Sequence, residues 1–229
     1  MIFVTLDCHR KMKKFLSSVL FITVSFVTGH AMAQEVQGDA KAGEKKIAMC
    51  IGCHGIKGYQ ATFPEVYRVP MISGQNAKYI SNALHAYQTG DRRHPTMRGI
   101  AASLTDQDIA DISAYYSTHS QAAAAPEKLP EPTGKVAELL TKGACNSCHG
   151  ANYSKGIDGS YPKLAGQHQD YLYVALKAYK AENHQTWGRN NAIMGGVAKQ
   201  FSNEELKQLA HYMSTQTGEL QVVPQSRFR

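Results

Sequence analysis

Two short stretches of this chain hold residues whose types and spacing suit a reactive site: Cys50-Ile51-Gly52-Cys53-His54-Gly55 and Cys145-Asn146-Ser147-Cys148-His149-Gly150. In each, an imidazole directly follows two thiols separated by two residues. Three chemistries use such a pair. A thioredoxin-like site opens a helix inside an α/β domain with a parallel sheet, and no stretch here has the β-branched alternation of such strands. A zinc site would need both pairs to close one tetrahedron, yet they lie 95 residues apart in self-contained segments. The third is covalent haem c, in which each thiol adds to a porphyrin vinyl group and the next histidine supplies the proximal iron ligand. Two matched occurrences favour it, with Cys50, Cys53, Cys145 and Cys148 as thioether residues and His54 and His149 as iron ligands. A small helical domain gains from such a group, because its own core is limited.

The partner on the other side of each iron is sought among residues that recur at equivalent places. Of the methionines beyond the N-terminal segment, Met97 and Met194 do so, 43 and 45 residues after His54 and His149. Each is expected on a Gly-containing loop that can approach a ring closely. Met49 and Met213 read as core filler, and Met71 has Lys163 as its counterpart. The rival histidines are His85, His94, His119, His168, His184 and His211, none of which has a histidine at its equivalent position; His94, three residues before Met97, stays open as an alternative. Methionine ligation raises the potential relative to bis-histidine ligation, and two filled axial positions leave no site for a substrate, which points to electron transfer.

These residues must be positioned by a repeated framework. Pro70-Met71-Ile72-Ser73-Gly74-Gln75 and Pro162-Lys163-Leu164-Ala165-Gly166-Gln167 each lead into a helical pattern, Ile80, Ala83, Leu84, Tyr87 and Leu172, Ala175, Leu176, Tyr179. These faces are expected to pack largely on porphyrin. The closing helices begin with Thr105-x-x-Asp108 and Ser202-x-x-Glu205, which fit a capping box, flanked by hydrophobic staples. The fold is therefore read as all-α: two tandem helical domains, each wrapped around one covalent haem. The domains span 34–119 and 133–229, joined by a Pro- and Ala-rich linker at 120–132. Gln221 to Arg229 is read as a loose tail.

Phe15 to Val27 is too short to span a membrane, where about 20 residues are needed. With the basic cluster before it and Ala31-Met32-Ala33 after it, residues 1–33 read as a cleavable signal peptide, so the mature protein is expected in the periplasm. Cys8 is lost with it, and no cysteine is left over. The net charge of +7 falls to +4 once this segment is removed. No basic run is long enough to track phosphates, so nucleic acid is not an expected partner. Arg92, Arg93 and Arg98, beside the first methionine, could steer a partner or pair with propionates, but the favoured reading is a solvated face.

From Asp39 to Thr215 the chain resembles the di-haem cytochrome c4 family, two fused class I cytochrome c domains. Both Cys-x-x-Cys-His-Gly motifs carry the resemblance, together with Pro162-Lys163-Leu164-Ala165-Gly166-Gln167, Tyr171-Leu172 and both methionine segments. It implies His/Met ligation of two haems that approach through their propionate edges. It also implies that the Pro70 and Pro162 carbonyls accept from the Nδ1 protons of His54 and His149. The departures are the insertion Ile56 to Val69 and the extension Glu182 to Asn191. The implied function is electron carriage between a quinol-cytochrome c reductase and a terminal oxidase, with membrane contact only through partners or an uncleaved signal. The alternatives are a cytochrome subunit of a dehydrogenase, such as flavin-containing sulfide dehydrogenase, and a di-haem peroxidase.

Overall fold

The two halves repeat one order of helices, seen in a computed structural model that describes residues 36–181 and 184–225. The signal segment, its cleavage site and Cys8 lie outside the described residues. So do residues 182–183 of the extension and 226–229 of the tail. In the first half the helices are α1 (Ala40–Gly43), α2 (Ala48–His54), α3 (Ala77–Thr89), α4 (Pro95–Ala102) and α5 (Asp106–Thr118). In the second they are α6 (Gly134–Gly143), α7 (Cys145–His149), α8 (Gln169–Lys180), α9 (Ala192–Lys199) and α10 (Asn203–Thr215).

The closing helices α5 and α10 start where their sequence says. The Asp108 N–H donates to Thr105 Oγ1 at 3.2 Å while the Thr105 N–H donates to the Asp108 carboxylate at 3.0 Å. Ser202 and Glu205 exchange the same pair at 3.1 and 2.8 Å. Each closing helix then forms the floor of a core. Ile109 and Ile112 pack with Ile47, Ile51, Ile80 and Leu84, and Leu206 and Leu209 pack with Leu139, Leu140, Leu172 and Phe201. Ile80, Leu84 and Leu172, expected mainly on a porphyrin, thus also bury protein against protein. At the close approach of α1 to α5, a Cβ on Gly43 would stand 2.1 Å from the Asp111 carbonyl oxygen, so only glycine fits.

The all-α reading stands, while the expectations for the tail and for Met49 are corrected. Between the helices lie short strands: β1 (Gln60–Ala61) pairs antiparallel with β2 (Tyr67–Arg68), and β3 (Arg92–Arg93) with β4 (Gly188–Arg189). Each is two residues long, below the length at which alternation can be read. The tail is not loose through 225: Leu220 is buried, the Gln221 N–H donates to the Ser73 carbonyl at 3.0 Å, and Gln225 donates to the Tyr115 hydroxyl at 3.1 Å. Met49 is half exposed, at 50%, and fills no core, whereas Met213 does.

The two halves meet along a seam made by both departures from the repeat. From the insertion, the Arg68 backbone N–H and Nε each donate to the Asp170 carboxylate at 3.0 Å, and Glu65 pairs with Lys177 of α8. From the extension, β4 binds β3, with Arg92 opposite Arg189. The linker is held too, since Asn152 donates to the Pro126 carbonyl at 2.9 Å and Leu129 enters the second core.

A buried carboxylate ties the start of the first half, at Asp39, to the first closing helix. Asp111, 2% exposed, accepts from the Asp39 N–H at 2.8 Å, from Lys46 Nζ at 2.7 Å and from Gln107 at 2.8 Å. The Asp39 N–H and then the Lys46 ammonium hold its pKa below the ordinary carboxylate value. This stabilisation is complete above the unfolded pKa of about 3.9 and is lost as pH falls through the depressed folded value. Asp111→Asn is expected to destabilise the chain by about 1–3 kcal/mol at pH 7. Thermal melts should show the gap to the unaltered protein narrowing towards pH 3.

Candidate haem sites

Each cysteine pair occupies a short helix whose geometry follows from its spacing. Cys50 and Cys53 lie one turn apart on α2, and Cys145 and Cys148 one turn apart on α7, so each pair shares a face. None of the four is joined to another in a disulfide, and all four are half-buried. Burial pushes the Cys50 thiol up to about 11 and the Cys145 thiol upward as well. His54 and His149 end these helices. Burial lowers both imidazole pKa values, keeping the rings neutral and able to ligate a metal.

The prolines fix which nitrogen is free. His54 Nδ1 donates to the Pro70 carbonyl at 2.8 Å, and His149 Nδ1 donates to the Pro162 carbonyl at 3.1 Å. Nε2 of each ring is left as the donor atom for a metal. The glycine of each Pro-x-x-x-Gly-Gln holds this strand of chain in place. Gly74 and Gly166 take φ values of +86° and +75°, and their N–H groups donate to the Tyr116 and Met213 carbonyls at 2.8 and 2.9 Å.

Met97 and Met194 sit in α4 and α9, not in loops. Glycine in these segments does not break the helix, because each is started by a strong cap. The Asn191 side chain accepts from the Met194 N–H at 2.9 Å, and His94 Nδ1 accepts from the Met97 N–H at 3.4 Å. His94 Nε2 meets the Tyr67 hydroxyl at 3.0 Å. Of this rival ligand, Nδ1 caps the helix that carries Met97 and Nε2 is held by Tyr67. The signal is a polar residue three positions before each methionine, His94 and Asn191, of which His94 is read above only as a rival ligand.

A third constellation was missed. Tyr79, Tyr87 and Arg92 of the first half have Tyr171, Tyr179 and Arg189 as equivalents in the second, and all six meet at the seam. The Tyr171 hydroxyl accepts from Arg92 at 2.8 Å and from Arg189 at 3.0 Å. Arg92 lies 4.9 Å from the Tyr87 ring centre, and Arg189 lies 5.2 Å from that of Tyr179. Arg92 is thus no part of a solvated face, and neither is Arg93, which donates to the Gly90 carbonyl at 3.2 Å; Arg98 alone is exposed. Burial would raise the Tyr171 phenol, but Arg189 and Arg92 outweigh it and bring the pKa down to about 8. Among the described residues neither guanidinium has a carboxylate partner, and the buried Arg92 Nε has no acceptor.

This donor set fits haem c. Free thiols one turn apart suit two vinyl groups, neutral imidazoles with tied Nδ1 atoms suit iron, and unpaired guanidinium charge suits propionates. Met97→Ala or Met194→Ala is expected to remove the sulfur-to-iron absorption of one haem while leaving the other, read in the oxidised visible spectrum. Asn191→Ala, by removing a cap worth about 1 kcal/mol, should lower the denaturant midpoint for loss of the Met194 absorption alone.

A cytochrome c family profile matches residues 40–120 and 135–217. Cytochrome c4 of Pseudomonas aeruginosa is 32% identical over 85% of this chain and 96% of its own length. The thiosulfate dehydrogenase electron acceptor of Stutzerimonas stutzeri is 28% identical over 87% of this chain and 93% of its own. The crystal structure of reduced cytochrome c4 from Pseudomonas stutzeri superposes with a TM-score of 0.59 at 28% identity, covering 79% of this chain and all of that one. With two cytochrome c domains, each binding a covalent haem c, the chain belongs to the cytochrome c family as a di-haem electron-transfer protein of the cytochrome c4 type.

Proposed function

We propose that this protein works in the periplasm, after loss of residues 1–33, as a carrier that takes electrons from a quinol-cytochrome c reductase and gives them to a terminal oxidase. Its domains, 34–119 and 133–229, are joined by 120–132. Cys50 and Cys53 hold one haem and Cys145 and Cys148 the other. His54 and Met97 ligate the first iron and His149 and Met194 the second, with Pro70 and Pro162 orienting the imidazoles. Bound haem supplies a one-electron Fe(III)/Fe(II) couple. The chain determines how exposed, how polar and how readily reduced that couple is.

The observation that carries this reading is the duplicated donor set. Each half offers a neutral imidazole with one nitrogen tied to a carbonyl, and a methionine placed by a helix cap. Two filled axial positions favour electron passage over bond-making. Arg92 and Arg189 would take propionates at the seam, neutralising their own charge and supplying an acceptor for the Arg92 Nε. Among the described residues no helix is long and apolar enough to cross a membrane; membrane contact would come through the partner complexes or an uncleaved signal.

A second reading is supported by likeness to the thiosulfate dehydrogenase electron acceptor: the donor would then be a periplasmic dehydrogenase. Stopped-flow reduction separates the two. The carrier reading expects fast reduction by quinol-oxidising membranes and reoxidation by terminal-oxidase membranes; fast reduction by a purified dehydrogenase alone would move the assignment. A pyridine haemochrome assay with intact mass should give two haems on a chain beginning near Gln34, and carbon monoxide should leave the reduced spectrum unchanged. Arg92→Gln is expected to lower the midpoint potentials by on the order of tens of millivolts, as loss of a unit charge in a medium of effective dielectric about 20 implies.

A further inference from the structure

We infer that Gln75 and Gln167 are positioning residues that tune each haem's proximal histidine from the opposite half of the chain. The inference rests on the ligand assignment proposed above and goes beyond it, since neither glutamine touches a proposed ligand. Both side chains are buried, at 4% and 3% exposure, on the seam. Gln167 of the second half accepts from the Met71 N–H at 3.1 Å and donates to the Met71 carbonyl at 2.9 Å. Gln75 of the first half accepts from the Lys163 N–H at 2.8 Å and donates to the Lys163 carbonyl at 3.1 Å. The arrangement is reciprocal.

Met71 and Lys163 directly follow the prolines that hold the imidazoles. The Pro70 carbonyl and the Met71 N–H belong to one peptide group, so one amide accepts from His54 Nδ1 on one side and donates to Gln167 on the other. The Pro162–Lys163 amide links His149 to Gln75 in the same way. Hydrogen bonds in series polarise one another, and a peptide whose N–H is engaged is a stronger acceptor at its C=O. A stronger acceptor at Nδ1 makes Nε2 more basic and favours the ferric state. The amide orientation is fixed locally, because each Oε1 also accepts from the next backbone N–H, that of Asn76 at 2.9 Å and of His168 at 3.0 Å. The glutamine of Pro-x-x-x-Gly-Gln therefore serves the other repeat, while the proline and glycine serve their own.

The test uses the holoprotein with two covalent haems verified by pyridine haemochrome. Gln167→Met keeps the volume and removes both bonds. It should raise the midpoint potential of the first-half haem and speed exchange of the His54 Nδ1 proton about tenfold, as loss of two hydrogen bonds implies, with His149 unmoved. Gln75→Met should do the converse. Gln167→Glu keeps an acceptor for the Met71 amide and adds negative charge, so it should lower the first-half potential, and it decides alone if the methionine variant does not assemble. Effects confined to a variant's own half, equal in both halves, absent, or of the same sign for Met and Glu overturn the inference. An unaltered chain that carries fewer than two haems would instead overturn the underlying assignment, and the inference with it.

Discussion

A buried imidazole N–H must find an acceptor, and in this chain that requirement organises each half. The ring that could bind iron through Nε2 has to park Nδ1, and a backbone carbonyl is the acceptor that adds no charge. To present that carbonyl, the chain after each cysteine pair must return to the histidine, turn sharply and enter a helix. Proline frees the position from donating, glycine supplies the left-handed turn, and the closing helix receives the glycine's N–H. The length between histidine and proline is free to vary, because only the carbonyl has to arrive. That freedom is where the first half carries its insertion, which the fold then uses to build one side of the seam.

Much of this framework was legible in one sequence because its signals are local. A capping box spans three residues and a helix face spans seven, so Thr105-x-x-Asp108 and Ile80, Leu84 could be read without knowing what lay beside them. Duplication did the rest, since Met97 and Met194 stand out only by comparison with each other. What could not be read was anything decided by how the two copies pack. Gln75 and Gln167 are plain polar residues until the second copy arrives, and Arg92 reads as surface until β4 lies against it. The capping role of His94 was hidden for a related reason: its side chain acts on the backbone three residues on, which its residue type does not announce.

The seam also shows how a duplicated unit becomes a single object. Tyr171 accepts from both guanidiniums, whereas Tyr79, its equivalent, accepts from Arg92 at 3.2 Å and has no second donor among the described residues. The local twofold symmetry is broken at its centre, so the two haem environments cannot be identical even though their donor sets match. Insertion and extension add to the asymmetry, since Arg68 grips Asp170 through two hydrogen bonds at 3.0 Å, whereas Lys78, the equivalent of Asp170, meets Asp158 only at 3.8 Å and with the charges exchanged. Different surroundings are a physical basis for unequal potentials, which two identical sites would lack.

The strap formed by Leu220 to Gln225 has a consequence for the order of assembly. Gln221 reaches back to Ser73, so the first half is finished by residues from beyond the second half's closing helix. Contacts of such long sequence separation form late, after loop closure has been met by other gains. The first half is therefore completed only when chain from beyond the second half has come back to its Ser73 strand, so neither copy closes independently of the other.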